Sequence, residues 1–158
     1  MTMRPAAGLE GVYDDPPITA IMSSDPVRVA STARLPTALH LMASTGVRHL
    51  PVMHGERCLG LVVEADVIRR LAEAPGLSAV AAPTDLAELV HPGEVVPPTA
   101  RVSEAARRMH SAGSDVVLVA DRSALLGIVT ATDLIRFLAG ATSPERERAD
   151  PPRRTPDA

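Results

Sequence analysis

Aromatic side chains are almost missing from this chain of 158 residues: Tyr13 and Phe137 are the only two, and tryptophan is absent. The core must therefore be built from Val, Leu, Ile, Ala and Met, and no platform exists on which unpaired bases could stack. Cysteine is nearly as scarce. Cys58 stands alone, which excludes an intramolecular disulfide and every thiolate-rich zinc pattern, and fits a reducing compartment. No apolar run approaches the roughly 18 residues of a membrane span, and Met1-Thr2-Met3-Arg4-Pro5 leads into small and acidic residues rather than a secretion signal. A cytoplasmic location without membrane attachment is expected. Positive charge is also lacking: the net charge is −3, so nucleic acid is not an expected partner.

What remains is the composition of a chain that folds, 46% hydrophobic and 22% charged. Its length suits one domain or two small units and excludes a large multidomain enzyme. The five histidines, His40, His49, His54, His91 and His110, form neither H-x-x-x-H nor a histidine-carboxylate cluster, so no metal site is expected. Glycine-rich phosphate loops and G-x-S-x-G elbows are missing too. Cys58 reads as a small hydrophobe rather than a nucleophile. Nothing here points to an enzyme.

The informative feature is an internal repeat. Thr32-Ala33-Arg34 recurs 67 residues later as Thr99-Ala100-Arg101, and the same offset pairs Met42 with Met109, Gly46 with Gly113, Leu59-Gly60 with Leu126-Gly127, and Asp66 with Asp133. One register held over a whole half-chain indicates two similar units facing each other. Inside the first, Leu35, Ala38, Leu39 and Met42 mark a one-sided helix with Pro36 in its first turn and Gly46 as its left-handed stop. His49–Met53 and Cys58–Val63 read as strands, and a second helix begins near Asp66. The second unit repeats this, with a helix over Val102–Ala112, strands Val116–Ala120 and Leu125–Thr130, and a helix from Asp133. The run Val116-Val117-Leu118-Val119 implies a strand covered on both faces, by helices on one side and by the partner unit on the other. Each unit is β-α-β-β-α, about 55 residues, too small to stand alone, so the two must share a core. The expected organisation is a flexible segment 1–17, repeats at 18–72 and 85–140, a Pro- and Gly-containing linker 73–84, and a disordered tail 141–158.

These residues resemble a tandem pair of cystathionine β-synthase-type (CBS) repeats, a Bateman module. The resemblance covers residues 18–140 and is carried by Ile21-Met22, by Gly46-Val47-Arg48-His49-Leu50-Pro51-Val52, and by Leu126 through Leu134 with its weaker counterpart Leu59 through Val67. It implies an α/β (α+β) fold of two pseudo-symmetric repeats packed sheet to sheet. It also implies a regulatory module with clefts between the repeats that takes an adenosine-containing ligand, AMP, ADP, ATP or S-adenosylmethionine, and requires no cofactor. Thr130, Thr132 and Asp133 match the family's ribose-binding T-x-x-D. A carboxylate can accept both hydroxyls of a ribose, although Thr and Asp before an apolar helix are also ordinary N-caps.

In the first repeat Asp66 is retained while Val63 and Ala65 replace the hydroxyls, so that cleft is expected to be impaired. Arg48 and His49 would face a phosphate, and adenine would lie among Val96, Val117 and Ile128. Such modules commonly pair into a disk, so a homodimer is expected. The module stands nearly alone, so the output is expected to reach an unidentified protein partner in trans. The competing expectation is a ligand-free dimerisation scaffold.

Overall fold

The computed structural model describes residues 15–73 and 85–140. Residues 1–14, 74–84 and 141–158, which hold most of the expected flexible segment and linker and the whole expected tail, lie outside the described residues. In the first repeat β1 (Ser23–Ser24) and β2 (Val29–Ala30) precede helix α1 (Leu35–Thr45), hairpin β3 (His49–His54) and β4 (Arg57–Val63), and helix α2 (Glu64–Glu73). The second repeat has β5 (Glu94–Val96), α3 (Val102–Ala112), hairpin β6 (Val116–Asp121) and β7 (Ala124–Thr130), and α4 (Ala131–Leu138). Gly46 and Gly113 end α1 and α3 in left-handed caps, as their place after the apolar stripe predicts. The closing helices begin two residues earlier than expected, because each strand runs directly into its helix without a loop.

β2 pairs in parallel with β3 and β5 with β6, while both hairpins are antiparallel. The strand order is β2-β3-β4-β7-β6-β5. Each hairpin breaks register at the same repeat position, between Val52 and Met53 and between Val119 and Ala120. The two three-stranded halves join through one residue pair, Arg57 with Ala124.

Three apolar clusters hold this arrangement. Val29, Leu35, Ala38, Met42, Leu50 and Val67 fill the space under α1 and α2. Val96, Val102, Ala105, Met109, Val117 and Val129 do the same under α3 and α4. Leu61, Val116, Leu118 and Ile128 meet at the seam, with Cys58 and Leu125 at its margin. The run Val116–Val119 thus alternates, Val117 and Val119 toward the helices and Val116 and Leu118 toward the other repeat, as a strand with two covered faces must. Each such side chain contributes about 1.5–3 kcal/mol of transfer free energy.

The leading segments are exchanged. Ile18, in a 3-10 turn, and Ile21 are buried in the cluster of the second repeat, and the Ile18 N–H donates to Ala100 O at 2.7 Å. Leu86, with Leu89 and Val90 beside it, fills the cluster of the first repeat. Between turn and strand each segment crosses the seam: β1 pairs with β7, and His91 exchanges two 2.8 Å backbone hydrogen bonds with Leu61 of β4. The crossings demand close backbone approach. A Cβ on Gly127 would stand 2.8 Å from Ser23 O, and one on Gly60 only 2.1 Å from His91 O, where Gly60 also has φ of +143°. Replacing Gly60 or Gly127 with alanine is expected to lower the unfolding free energy by about 2 kcal/mol or more, read as a reduced midpoint in urea, with Gly55→Ala in an open turn as the mild control.

The reading of residues 1–17 as outside the fold needs correction at its end. Val102 N–H donates to Pro16 O at 3.0 Å, and Asp15 caps α3 from 88 positions away: Ser103 N–H donates to Oδ1 at 2.9 Å and the Ser103 hydroxyl to Oδ2 at 2.7 Å. The equivalent position in the first repeat is Pro36, which has no N–H to cap. The Ser103 hydroxyl, then its backbone N–H, and more weakly Arg101 and Arg107 hold the Asp15 carboxyl below its ordinary range. A depressed folded-state pKa contributes stability that is present above the ordinary carboxylate pKa and is lost as pH falls through the folded value. Asp15→Ala should therefore melt below the parent at neutral pH, and the gap should close in strong acid, as calorimetric scans of both proteins across that span would measure.

Candidate functional site

The junction of β7 and α4 forms one wall of a cleft. Thr130 is the N-cap of α4: its Oγ1 accepts from Asp133 N–H at 3.4 Å, while Asp133 Oδ2 accepts from Thr130 N–H and from the Thr130 hydroxyl, both at 2.8 Å. This capping box uses one carboxylate oxygen fully. The other, Oδ1, faces Arg136 Nη1 at 3.7 Å one turn further along α4. Thr132 is exposed beside them.

The opposite wall is the start of β3. Arg48, 80% exposed, lies 3.9 Å from Glu64, and its carbonyl accepts the Glu64 N–H at 2.9 Å. The second repeat copies that backbone bond, Ala131 N–H to Asp115 O at 2.8 Å. His49 is largely buried, its side chain 10% exposed, and its Nε2 lies 3.0 Å from Asp115 Oδ1 across the seam.

Between these walls lies a cavity of about 660 Å³, within the size range of small-molecule sites. It brings together Arg48 and His49 of the first repeat with Ile128, Thr130, Thr132 and Asp133 of the second. Three residues expected at the ligand lie elsewhere. Val96 and Val117 are completely buried under α3 and α4, because odd and even positions of a strand face opposite sides; they do not line the cavity. Asp66 belongs to the repeat-related position, where its carboxylate is engaged by Arg69 Nη2 at 2.6 Å and His91 Nε2 at 2.7 Å.

Sequence reasoning missed the floor of the cavity, Ser23 through Val27, and Arg136. The floor is the crossing segment, which no local pattern reveals. Arg136 was findable, one helical turn after Asp133.

Cys58 is half-buried at the seam, where burial pushes its thiol pKa up, opposed weakly by Arg28, and the thiol donates to Gly60 O at 3.6 Å. That is the setting of a neutral, inert thiol. Among the described residues no group of three or more His, Cys, Asp or Glu side chains could hold a metal ion. None of the described helices is long and apolar enough to cross a membrane.

A duplicated α/β unit with exchanged leading segments and a polar cavity at its seam defines a paired-repeat module. The chain belongs to the CBS domain family, whose model matches residues 18–73 and 86–140. No curated protein matches its sequence. Its fold is similar to that of a protein ascribed to acetoin utilization (AcuB) from Vibrio cholerae, with TM-score 0.69 and 25% identity over 87% of this chain and 99% of that one. It is also similar to the CBS domain pair of protein MJ0100, in complex with 5′-methylthioadenosine and S-adenosyl-L-methionine, with TM-score 0.70 and 20% identity over 80% and 98% of the two chains. CBSX2 in complex with AMP matches with TM-score 0.68 and 22% identity over 78% and 96%. The last two likenesses, below 25% identity, show the fold alone.

Because Thr130 caps α4, Thr130→Ala should cost about 1 kcal/mol of stability in ligand-free protein. Thr132→Ala, outside the capping box, should leave the denaturation midpoint unchanged.

Proposed function

We propose that this chain is a non-catalytic regulatory module whose seam cavity takes an adenosine-containing ligand, AMP, ADP, ATP or S-adenosylmethionine. The observation that carries the reading is the joining, in one cavity, of Arg48 and His49 from the first repeat with Thr130, Thr132 and Asp133 from the second. Asp133 Oδ1 would accept the ribose hydroxyls, and the Thr130 and Thr132 side chains offer neutral partners beside it. Arg48 and Arg136 would hold phosphate as charge-assisted donors. Ile128 is the apolar contact for adenine. The ligands named for MJ0100 and CBSX2 are adenosine compounds, which supports the same chemistry here.

A ligand touching both repeats shifts their relative arrangement by no more than its differential affinity for the two states. The output passes in the cytoplasm to a protein partner in trans. The module pairs with a second copy through α2 and α4, which expose Ile68, Ile135 and Leu138 to 49%, 65% and 62%; Ile68 and Ile135 are repeat-equivalent.

A ligand-free scaffold is the second reading, favoured by the engagement of Thr130 and Asp133 with each other in the capping box. Calorimetric titration with the four compounds separates the two. Under the sensor reading at least one binds, and at a concentration 100 times its Kd it adds about 2.7 kcal/mol to the unfolding free energy. Arg136→Ala should weaken AMP about tenfold and leave adenosine unchanged. Silence from all four, with protein shown ligand-free by mass spectrometry, would establish the scaffold.

A further inference from the structure

Two histidines reach across the seam to an aspartate of the other repeat, His49 to Asp115 and His91 to Asp66. The pairs are not repeat-equivalent: the position matching His49 is Val116, and that matching His91 is Ser24. Only His49 lines the 660 Å³ cavity, with its side chain 10% exposed against 59% for His91.

The charges around the cavity make His49 matter. Asp25 of the crossing segment, Asp115 before β6 and Asp133 of α4 set three carboxylates against two guanidiniums, Arg48 beside His49 and Arg136 of α4. Just outside, Arg28 pairs with Asp25 and Glu64 of α2 with Arg48, which offset each other. With His49 neutral the lining carries an excess of one negative charge, which opposes an anion. With His49 protonated the lining is balanced. The neutral ring is one donor and one acceptor, and the charged ring is two donors.

We infer that His49, steadied by Asp115, is a specificity-determining residue of this cleft: it supplies the positive charge that admits an anionic ligand, and anion binding there is coupled to proton uptake. The inference rests on the ligand-binding reading above and adds its regulation. Histidine is the side chain suited to this, since its ordinary titration falls between about pH 5 and 8. The coupling belongs to one cleft only, because Val116 stands where His49 would be in the other.

The test uses adenosine 5′-sulfate, whose single negative charge does not change over the range studied, and neutral adenosine as its control. Calorimetric titration of the intact chain should show adenosine 5′-sulfate binding about tenfold more tightly near pH 5.5 than near pH 8, with adenosine unchanged. In His49→Gln both profiles should be flat. In the parent, the heat of sulfate-ester binding should vary with the ionisation enthalpy of the buffer, the signature of proton uptake; this measurement stands even if the variant fails to fold. Affinity independent of pH, or a slope that survives in His49→Gln, would overturn the inference and leave the ligand-binding reading standing. If neither compound binds at any pH, the inference falls, and the ligand-binding reading stands or falls on the titration with AMP, ADP, ATP and S-adenosylmethionine.

Discussion

The structure depends on two places where backbone passes over backbone with no side chain between. At Gly127 the first crossing segment lies against β7, and at Gly60 the second lies against β4. Each crossing delivers a buried residue, Ile18 or Leu86, into the apolar cluster of the other repeat. Neither repeat can therefore complete its interior from contiguous sequence. The stability of each half includes apolar burial supplied by the other, and this couples halves that would be marginal alone at their size.

The same crossings shape the seam. Because β1 runs along β7, the loop after it, Asp25 through Val27, forms the floor of the cavity. The cavity is thus built from four stretches far apart in sequence: the crossing segment, the residues leading into β3, Asp115 before β6, and the β7–α4 junction. The twin position is built by the same rules but filled with different chemistry. There His91 and Arg69 occupy the carboxylate of Asp66, and valine and alanine replace the hydroxyls. One backbone plan, used twice, has produced a polar cavity at one seam position and, at the other, a carboxylate already engaged by a histidine and an arginine.

Much of this was legible in the sequence, for a physical reason. Helices and strands follow local periodicity, so the stripe Leu35, Ala38, Met42 and the glycines at 46 and 113 locate α1 and α3 closely. The 67-residue register carried over to the hairpins and even to their matching irregularities. The joining of Arg48 and His49 with Thr130, Thr132 and Asp133 was anticipated from the resemblance to paired CBS repeats rather than from any local pattern. What was hidden is non-local or a matter of strand parity. The exchange of leading segments and the cap that Asp15 gives α3 across 88 positions leave no local trace. Val96 and Val117 were misplaced because an unbroken apolar run does not say which residue faces which layer.

The inequivalence of the two clefts constrains any dose–response curve. Under the proposed reading, in which one cleft of each chain takes the ligand, a single chain gives a simple hyperbola. On that reading a Hill coefficient above one would have to originate between chains rather than within one. Duplication has here supplied mutual closure of two apolar interiors.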